Sequence, residues 1–441
     1  MAKASDCGPG RPRSTAEIIE LKKRYVFPNV ATFYQEPLVL ERGEGLTVWD
    51  SEGRRYLDFF GGILTTSLGY ALPEVTEAVV EQARKVLHTS TLYINRPMVE
   101  LACRLAELSP TGDWKSFFTN SGTEANETAI LLARVYTGNT EVIALRHSYH
   151  GRSVLAMSLT GNSTWRHVGT EFSGIRFAHN AYCYRCAFGA TYPECDLACA
   201  RDLEELIRTE TTGRVAALIA EPIQGVGGFV TPPSGYFEVL VDIVRRHGGI
   251  FIADEVQTGF GRTGKMFGWQ HWDVRPDVMT FAKGLANGAA IGATSAAPGI
   301  ADSFTGASIS TFGGNPVSMA AGVATVDYIR EHDIPGRVER LGRKAFETLA
   351  ELQERYPTTI GEVRGKGLMI GIELVGENKA PAADKLARLL ELTREEGLLI
   401  GKGGLYGNVV RLTPPMTVSE AELEAGLAAL ARAFARLEGG R

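Results

Sequence analysis

The chain reads as an α/β protein, with a mostly parallel central sheet in a large domain and a smaller α+β domain built from both chain ends. Three observations predict this. From about Trp114 to Tyr328, short buried apolar runs alternate with amphipathic helical stretches, the pattern of parallel strands covered by helices on both faces. Three of those runs stop at a polar residue: VAALIAEP at Glu221, GIFIADEVQ at Asp254 and DVMTFAKG at Lys283. Beyond Pro335 the order changes to helix, strands, helix, strands and a last helix, which is α+β grammar.

The 441 residues, 44% of them hydrophobic, suffice for a large core and a second one. The boundaries are expected at 1–75 for an N-terminal arm and part of the small domain, 76–332 for the large domain, and 333–441 for the C-terminal part of the small domain. A net charge of -5 offers no basic field for a phosphate backbone, which argues against nucleic acid as a partner. The opening MAKASDCGPGRPRST lacks an apolar stretch, and no run of about 18 apolar residues occurs. A cytoplasmic protein with no membrane partner is the expectation.

In chain order, the first fifteen or so residues read as a loose polar arm. LTVWDSEGRRYLDFFGGI places two short apolar runs around an Asp-Ser-Glu-Gly turn and predicts a hairpin that joins the small domain. Pro73 to Val86 reads as a helix. In the small domain a helix over Arg337–Tyr356 precedes the strands GLMIGIEL, LLIGKGG and NVVRLTPP. The last helix is announced by Ser419 and Glu422 as a capping box, with Leu423, Leu427, Leu430, Phe434 and Leu437 on one face.

Glu221 and Asp254 lie 33 residues apart, and Asp254 and Lys283 lie 29 apart. A strand, a crossover helix and the next strand need about 30 residues. Consecutive units would therefore bring the three side chains to one carboxyl edge of the sheet, where open α/β folds bind ligands. Each alone could simply be a polar residue closing a strand; an Asp and a Lys facing one cleft is a more demanding arrangement. A lysine in an apolar pocket has a depressed pKa, which suits an imine-forming amine. Upstream, KSFFTNSGTEANETAILLARVYTG reads as a strand running into Asn120, Ser121, Gly122 and Thr123, then a helix. The free N–H groups of that helix start form either an ordinary N-cap or an anion cradle. Cradle, strand-end Asp and strand-end Lys together fit a phosphorylated pyridine aldehyde. GFGRTGK at 259–265 matches a dinucleotide fingerprint and most of a P-loop, yet Met266 stands where the P-loop needs Ser or Thr. The aromatic, Pro-broken text after it does not open a helix, so nucleotide binding is not expected.

FTNSGTEANE (118–127), SYHGR (148–152), AEPIQG (220–225), ADEVQTGFGRTG (253–264), FAKG (281–284), STFGGNP (310–316) and VRGKGL (363–368) together resemble the class III aminotransferases. These are pyridoxal 5′-phosphate enzymes of fold type I. The resemblance runs from about Phe33 to the C-terminus. It implies that Lys283 carries the cofactor and shuttles the proton, and that Asp254 keeps the pyridine nitrogen protonated. It further implies that Gln257 bonds the ring hydroxyl, Tyr149 and Val256 cover the two ring faces, and Ser121, Gly122 and Thr123 hold the phosphate. Thr311 would reach the phosphate of a neighbouring subunit, which implies a homodimer with shared sites, and Glu221 would buttress the network. Plain core residues are the lesser alternative for Tyr149 and Val256, and His150 is expected to be a satisfied core histidine.

The resemblance also speaks to substrate. Arg411 matches the arginine that clamps an α-carboxylate, its planar fork suiting both oxygens; a surface salt bridge is the plainer alternative. Arg152 matches the arginine used for a distal carboxylate by members acting on glutamate and 4-aminobutyrate. Those members carry Glu where this chain has Val226. Val226 therefore points to transfer of an amino group from an amine or an ω- or α-amino acid to pyruvate or glyoxylate, by a ping-pong mechanism. A 4-aminobutyrate- or ornithine-type enzyme coupled to 2-oxoglutarate is the alternative. A racemase, an aminomutase or a catalytically inactive binding protein on the same fold are more distant ones. GYALP at 69–73 departs from the family's Gly-His-x-His-Pro. Finally, Cys183, Cys186, Cys195 and Cys199 have a spacing loosely like a structural zinc site, and the spacing leaves metal, disulfides and free thiols open.

Overall fold

The computed structural model describes residues 13–166 and 172–439. Seven strands form the central sheet: β1 (Lys115–Thr119), β2 (Val142–Leu145), β3 (Ile175–Ala178), β4 (Ala217–Ala220), β5 (Ile250–Asp254), β6 (Val278–Phe281) and β7 (Gly292–Ala296). Their spatial order is β1-β7-β6-β5-β4-β2-β3. Strand β7 is antiparallel to both neighbours, and the remaining pairs are parallel. Strands β2, β4, β5 and β6 are buried along their whole length. With helices on both faces such strands have no solvent side, so VIAL, ALIA, IFIAD and VMTF read as near-continuous apolar runs instead of alternating. Each fully buried Leu or Ile contributes about 1.5–3 kcal/mol. Core formation thus fixes where each strand stops, and with it the polar residue at its end.

Register delivers the predicted alignment. Ala220 pairs with Ala253, so Glu221 follows level with Asp254; Asp254 pairs with Thr280, three residues before Lys283. The helix Tyr236–Arg246 makes the crossover from β4 to β5. The crossover from β5 to β6 differs from the expected helix: its ordered piece is the 3-10 turn Gly268–His271. The buried carboxylate of Glu255 organises this stretch, accepting from the Thr258 hydroxyl at 2.6 Å and from the Gly268 and Trp269 N–H groups at 2.8 Å each. GFGRTGK consequently forms turns. Its Arg262 is buried and donates to the backbone carbonyls of Pro414 at 2.6 Å and Leu368 at 3.3 Å, tying this stretch to the C-terminal part of the chain.

Both chain ends build the smaller sheets. One contains Leu40–Glu44, Thr47–Asp50, Arg55–Asp58 and the C-terminal pair Leu398–Leu399, which lies parallel to Arg55–Asp58. The other orders Ile360–Lys366, Met369–Leu374, Val409–Leu412 and Gly401–Gly403, all antiparallel. The last helix, Glu420–Gly439, opens on the expected capping box: the Ser419 N–H donates to Glu422 at 2.8 Å and the Glu422 N–H to the Ser419 hydroxyl at 3.2 Å. The arm expected over the first fifteen residues lies outside the described residues up to position 12, and at Ser14 a capped helix, Thr15–Tyr25, already begins. Among the described residues no helix is long and apolar enough to cross a membrane.

Candidate active site

At the carboxyl edge of β5, Asp254 is buried and held through both carboxylate oxygens. Its Oδ2 accepts from Asn126 Nδ2 at 2.8 Å and stands 2.7 Å from His150 Nδ1; its Oδ1 accepts from the Val256 N–H at 3.1 Å. Asn126 is itself held by the Thr280 hydroxyl at 2.7 Å and donates a second bond to the His150 carbonyl at 2.9 Å. Asp254 is thus aimed by three elements at once. His150 is a buried core histidine, as expected, with Asp254 as its Nδ1 partner; it is not fully satisfied, since its Nε2 is buried without a hydrogen-bond partner among the described residues. Glu221 is buried one residue past β4 and ties down two loops, accepting the Tyr149 N–H at 2.9 Å and the Gly225 N–H at 2.8 Å. Burial, reinforced by Asp254 and opposed by His150, pushes its carboxyl up to about 7.

Lys283 begins the turn after β6 with a left-handed backbone, φ 42°. A side chain with a Cβ holds that conformation only where its surroundings enforce it, a recurrent property of working residues. A Cβ on Gly284 beside it would lie 2.7 Å from the Ser67 hydroxyl, which would have to turn away. Burial lowers the Lys283 ammonium to about 8, with Asp254 and Glu221 opposing that shift and Arg411 adding to it.

The helix Gly122–Thr137 starts at Ser121, whose hydroxyl accepts the Glu124 N–H at 3.3 Å. A Cβ on Gly122 would press on the Val256 methyls at 3.0 and 3.1 Å. Tyr149 is half-buried and meets the Trp165 ring edge-on, centroids 5.3 Å apart. Thr311 and Arg152 are exposed.

Arg411 lies on Val409–Leu412 and is buried, which excludes the surface salt bridge. It has no carboxylate partner among the described residues. Its Nη2 donates to Gln257 Oε1 at 2.7 Å, and its guanidinium lies over the rings of Phe229 at 4.6 Å and Phe60 at 5.2 Å. Burial lowers it to about 10, opposed by Glu221.

A sequence profile of the family described as "Aminotransferase class-III" matches residues 30–434. The chain belongs to the class III aminotransferases. It is 41% identical over 403 residues to alanine–glyoxylate aminotransferase 2 homolog 2 of Arabidopsis thaliana, covering 90% of this chain and 83% of that protein. It is 37% identical to an acetylornithine aminotransferase of Methanothermobacter thermautotrophicus, covering 96% of this chain and 99% of that one. A solved (S)-enantioselective omega-transaminase of Thermomicrobium roseum superposes with a TM-score of 0.88 at 34% identity, covering 97% of this chain and all of that one. This class III enzyme is therefore a transaminase of fold type I that uses pyridoxal phosphate.

The residues present fit that cofactor. A helix start with a hydroxyl cap and a Cβ-free position supplies an anion cradle, a braced carboxylate stands at the neighbouring strand end, and a lysine of lowered pKa follows on the next. The four-cysteine stretch of the aminotransferase lines a separate cavity. Cys183, Cys186, Cys195 and Cys199 are free thiols lining one cavity of about 20 Å³, and burial drives Cys199 up to about 11. No group of three or more His, Cys, Asp or Glu among the described residues is placed to hold a metal ion. This stretch does carry a long-range contact: Arg185 Nε donates to Glu373 at 2.6 Å, and Glu373 also takes Arg364 at 2.6 Å.

Proposed function

We propose that this aminotransferase couples an amino donor to pyruvate or glyoxylate, and that Lys283, Asp254 and Arg411 are its principal working groups. The carrying observation is Arg411, a buried guanidinium whose polar partner is the neutral amide of Gln257. At Val226 the chain offers it no carboxylate; the Val226 carbonyl instead accepts the Gly404 N–H at 2.9 Å. An arginine without a counter-ion is available to the carboxylate of a small keto acid or α-amino acid. The relative named for alanine and glyoxylate supports the same reading.

When bound, pyridoxal phosphate supplies an electron sink. Asp254, braced by Asn126 and His150, holds a proton on the ring nitrogen and so keeps that sink effective. Lys283 moves the proton at the substrate's α-carbon; burial lowers its pKa to about 8, which favours the free amine that this task needs. Ser121, Gly122 and Thr123 bind the phosphate, Gln257 the ring hydroxyl, and Tyr149 and Val256 confine the ring. Glu221 fixes the loops that carry Tyr149 and Gln257's neighbour Gly225. Thr311, exposed in its own chain, completes the phosphate site of a second copy, which makes the working form a homodimer. The free thiols among the described residues fit a reducing compartment such as the cytoplasm.

Half-reaction rates with alanine and glutamate test the assignment. Alanine is expected to convert the cofactor at least tenfold faster; a preference for glutamate overturns it. That outcome would favour the second reading, coupling to 2-oxoglutarate through Arg152, whose charge already bears on the Tyr149 hydroxyl.

A further inference from the structure

We propose that Phe60 sets how strongly this enzyme selects donors that carry a carboxylate, by holding the Arg411 guanidinium in an aromatic seat shared with Phe229. The proposal rests on Arg411 being the carboxylate-binding group.

Three independent features build the seat. The first is electrostatic. Arg411 is 3% exposed, lies over both rings, has one hydrogen bond from its terminal nitrogens, and keeps a buried Nε without a partner among the described residues. A buried cation without a counter-ion is costly, and aromatic faces offset part of that cost without consuming its N–H donors. Aromatic rings therefore hold the arginine while leaving its fork free for a ligand, which a carboxylate at position 226 would not.

The second is steric. Gly401 pairs directly with Arg411 across the sheet from one side and Gly371 from the other. A Cβ on Gly401 would stand 2.1 Å from the Phe60 ring, and one on Gly403 would stand 2.7 Å from Arg411 Cδ. The strand Gly401–Gly403 carries glycine at both of these positions, so that Phe60 and the stem of Arg411 can lie against its backbone.

The third is the way Phe60 is presented. Gly61, Gly62, Ile63 and Leu64 follow it in one left-handed turn, with φ values of 55°, 57°, 65° and 58°. Two of these are residues with branched side chains in a conformation that disfavours a Cβ. Asp58 anchors the start of the turn, accepting the Phe60 N–H at 2.8 Å and the Gly61 N–H at 3.1 Å, and the Phe60 carbonyl takes the Thr413 hydroxyl at 3.2 Å. Phe60 is thus clamped from before and after, and from just beyond the strand that carries Arg411. It is a positioning residue that acts through Arg411.

The test compares single-turnover half-reactions of the holoenzyme with L-alanine and with 1-phenylethylamine, a primary amine without a carboxylate. Phe60→Leu is expected to raise KM for alanine about fivefold to thirtyfold, the loss of one desolvated cation–π contact, with kcat moving less than twofold. KM for 1-phenylethylamine should move by less than twofold, and Phe60→Tyr should restore the alanine value. In an Arg411→Met background, Phe60→Leu should no longer change the ratio of the two KM values. An unchanged alanine KM in Phe60→Leu, an equal loss with both amines, or a Phe60 effect that persists without Arg411 overturns the proposal while leaving the role of Arg411 intact. If Arg411→Met alone leaves alanine KM unchanged, the underlying reading of Arg411 falls as well.

Discussion

Lys283 carries a thermodynamic signature that is independent of turnover. In the folded chain its amine titrates near 8, whereas the unfolded chain keeps it near the ordinary 10.5. Between those values the unfolded state holds the extra proton, so its contribution to stability rises with pH. Below about pH 8 the folded protein bears the full cost of a buried ammonium. The cofactor-free Lys283→Met variant is therefore expected to be more resistant to urea than the cofactor-free parent at pH 7, with the gap closing by about pH 10.5. A gap that is constant with pH contradicts this. His150 offers a second test at the same scale. Removing a hydrogen bond to a buried carboxylate costs about 1.5–3 kcal/mol, and Asp254 has two such donors on one oxygen. His150→Ala should weaken cofactor retention about tenfold to a hundredfold, read by equilibrium dialysis, with the fold retained by circular dichroism.

The elements explain why some of this site was legible in the sequence and some was not. Glu221, Asp254 and Lys283 end strands buried on both faces, so each breaks an apolar run, and the spacing of about one strand–crossover–strand unit puts them side by side. The second crossover lacks the helix that its length suggested, because Glu255 organises that stretch from inside. His150 had no such signal: its bond to Asp254 spans 104 positions and arises from how the loop after β2 falls over the sheet edge. The left-handed turn after Phe60 was equally silent, since Ile63 and Leu64 are residues that local preference steers away from it. The pairing of Arg411 with Gln257 is a tertiary contact between residues 154 positions apart. At the helix that opens on Ser121, the cap and the cradle coincide. Ser121→Ala should lower unfolding free energy by about 1 kcal/mol through the lost cap and also reduce affinity for pyridoxal phosphate. A stability loss with unchanged cofactor affinity would leave Ser121 as a cap alone.

Across the whole molecule, the working groups come from the central seven-stranded sheet and from a smaller C-terminal sheet and, in the proposed homodimer, from two copies of the chain. Arg262 and Arg364 tie the central sheet's loops to the C-terminal part of the chain through buried contacts, the latter donating to the Gly228 carbonyl at 2.9 Å in the loop that follows Glu221. Apolar side chains around 92–94 and 309–312 are left open, with Ile94 87% and Phe312 61% exposed. Exposure of that kind beside Thr311 fits a face that a second copy covers. Sedimentation of the holoenzyme is expected to give a dimer, and Ile94→Asp combined with Phe312→Asp should yield monomers with at least tenfold less activity. Fully active monomers would remove Thr311 from the site.

The central claim is that Lys283 holds the cofactor while Asp254 faces its other end. Borohydride reduction of the holoenzyme, followed by proteolysis and peptide mass spectrometry, tests it most directly. The reduced cofactor should be found on the peptide containing Lys283 and should be absent from that position in Lys283→Ala. Recovery of the modification on any other lysine, or its survival in that variant, would contradict the claim.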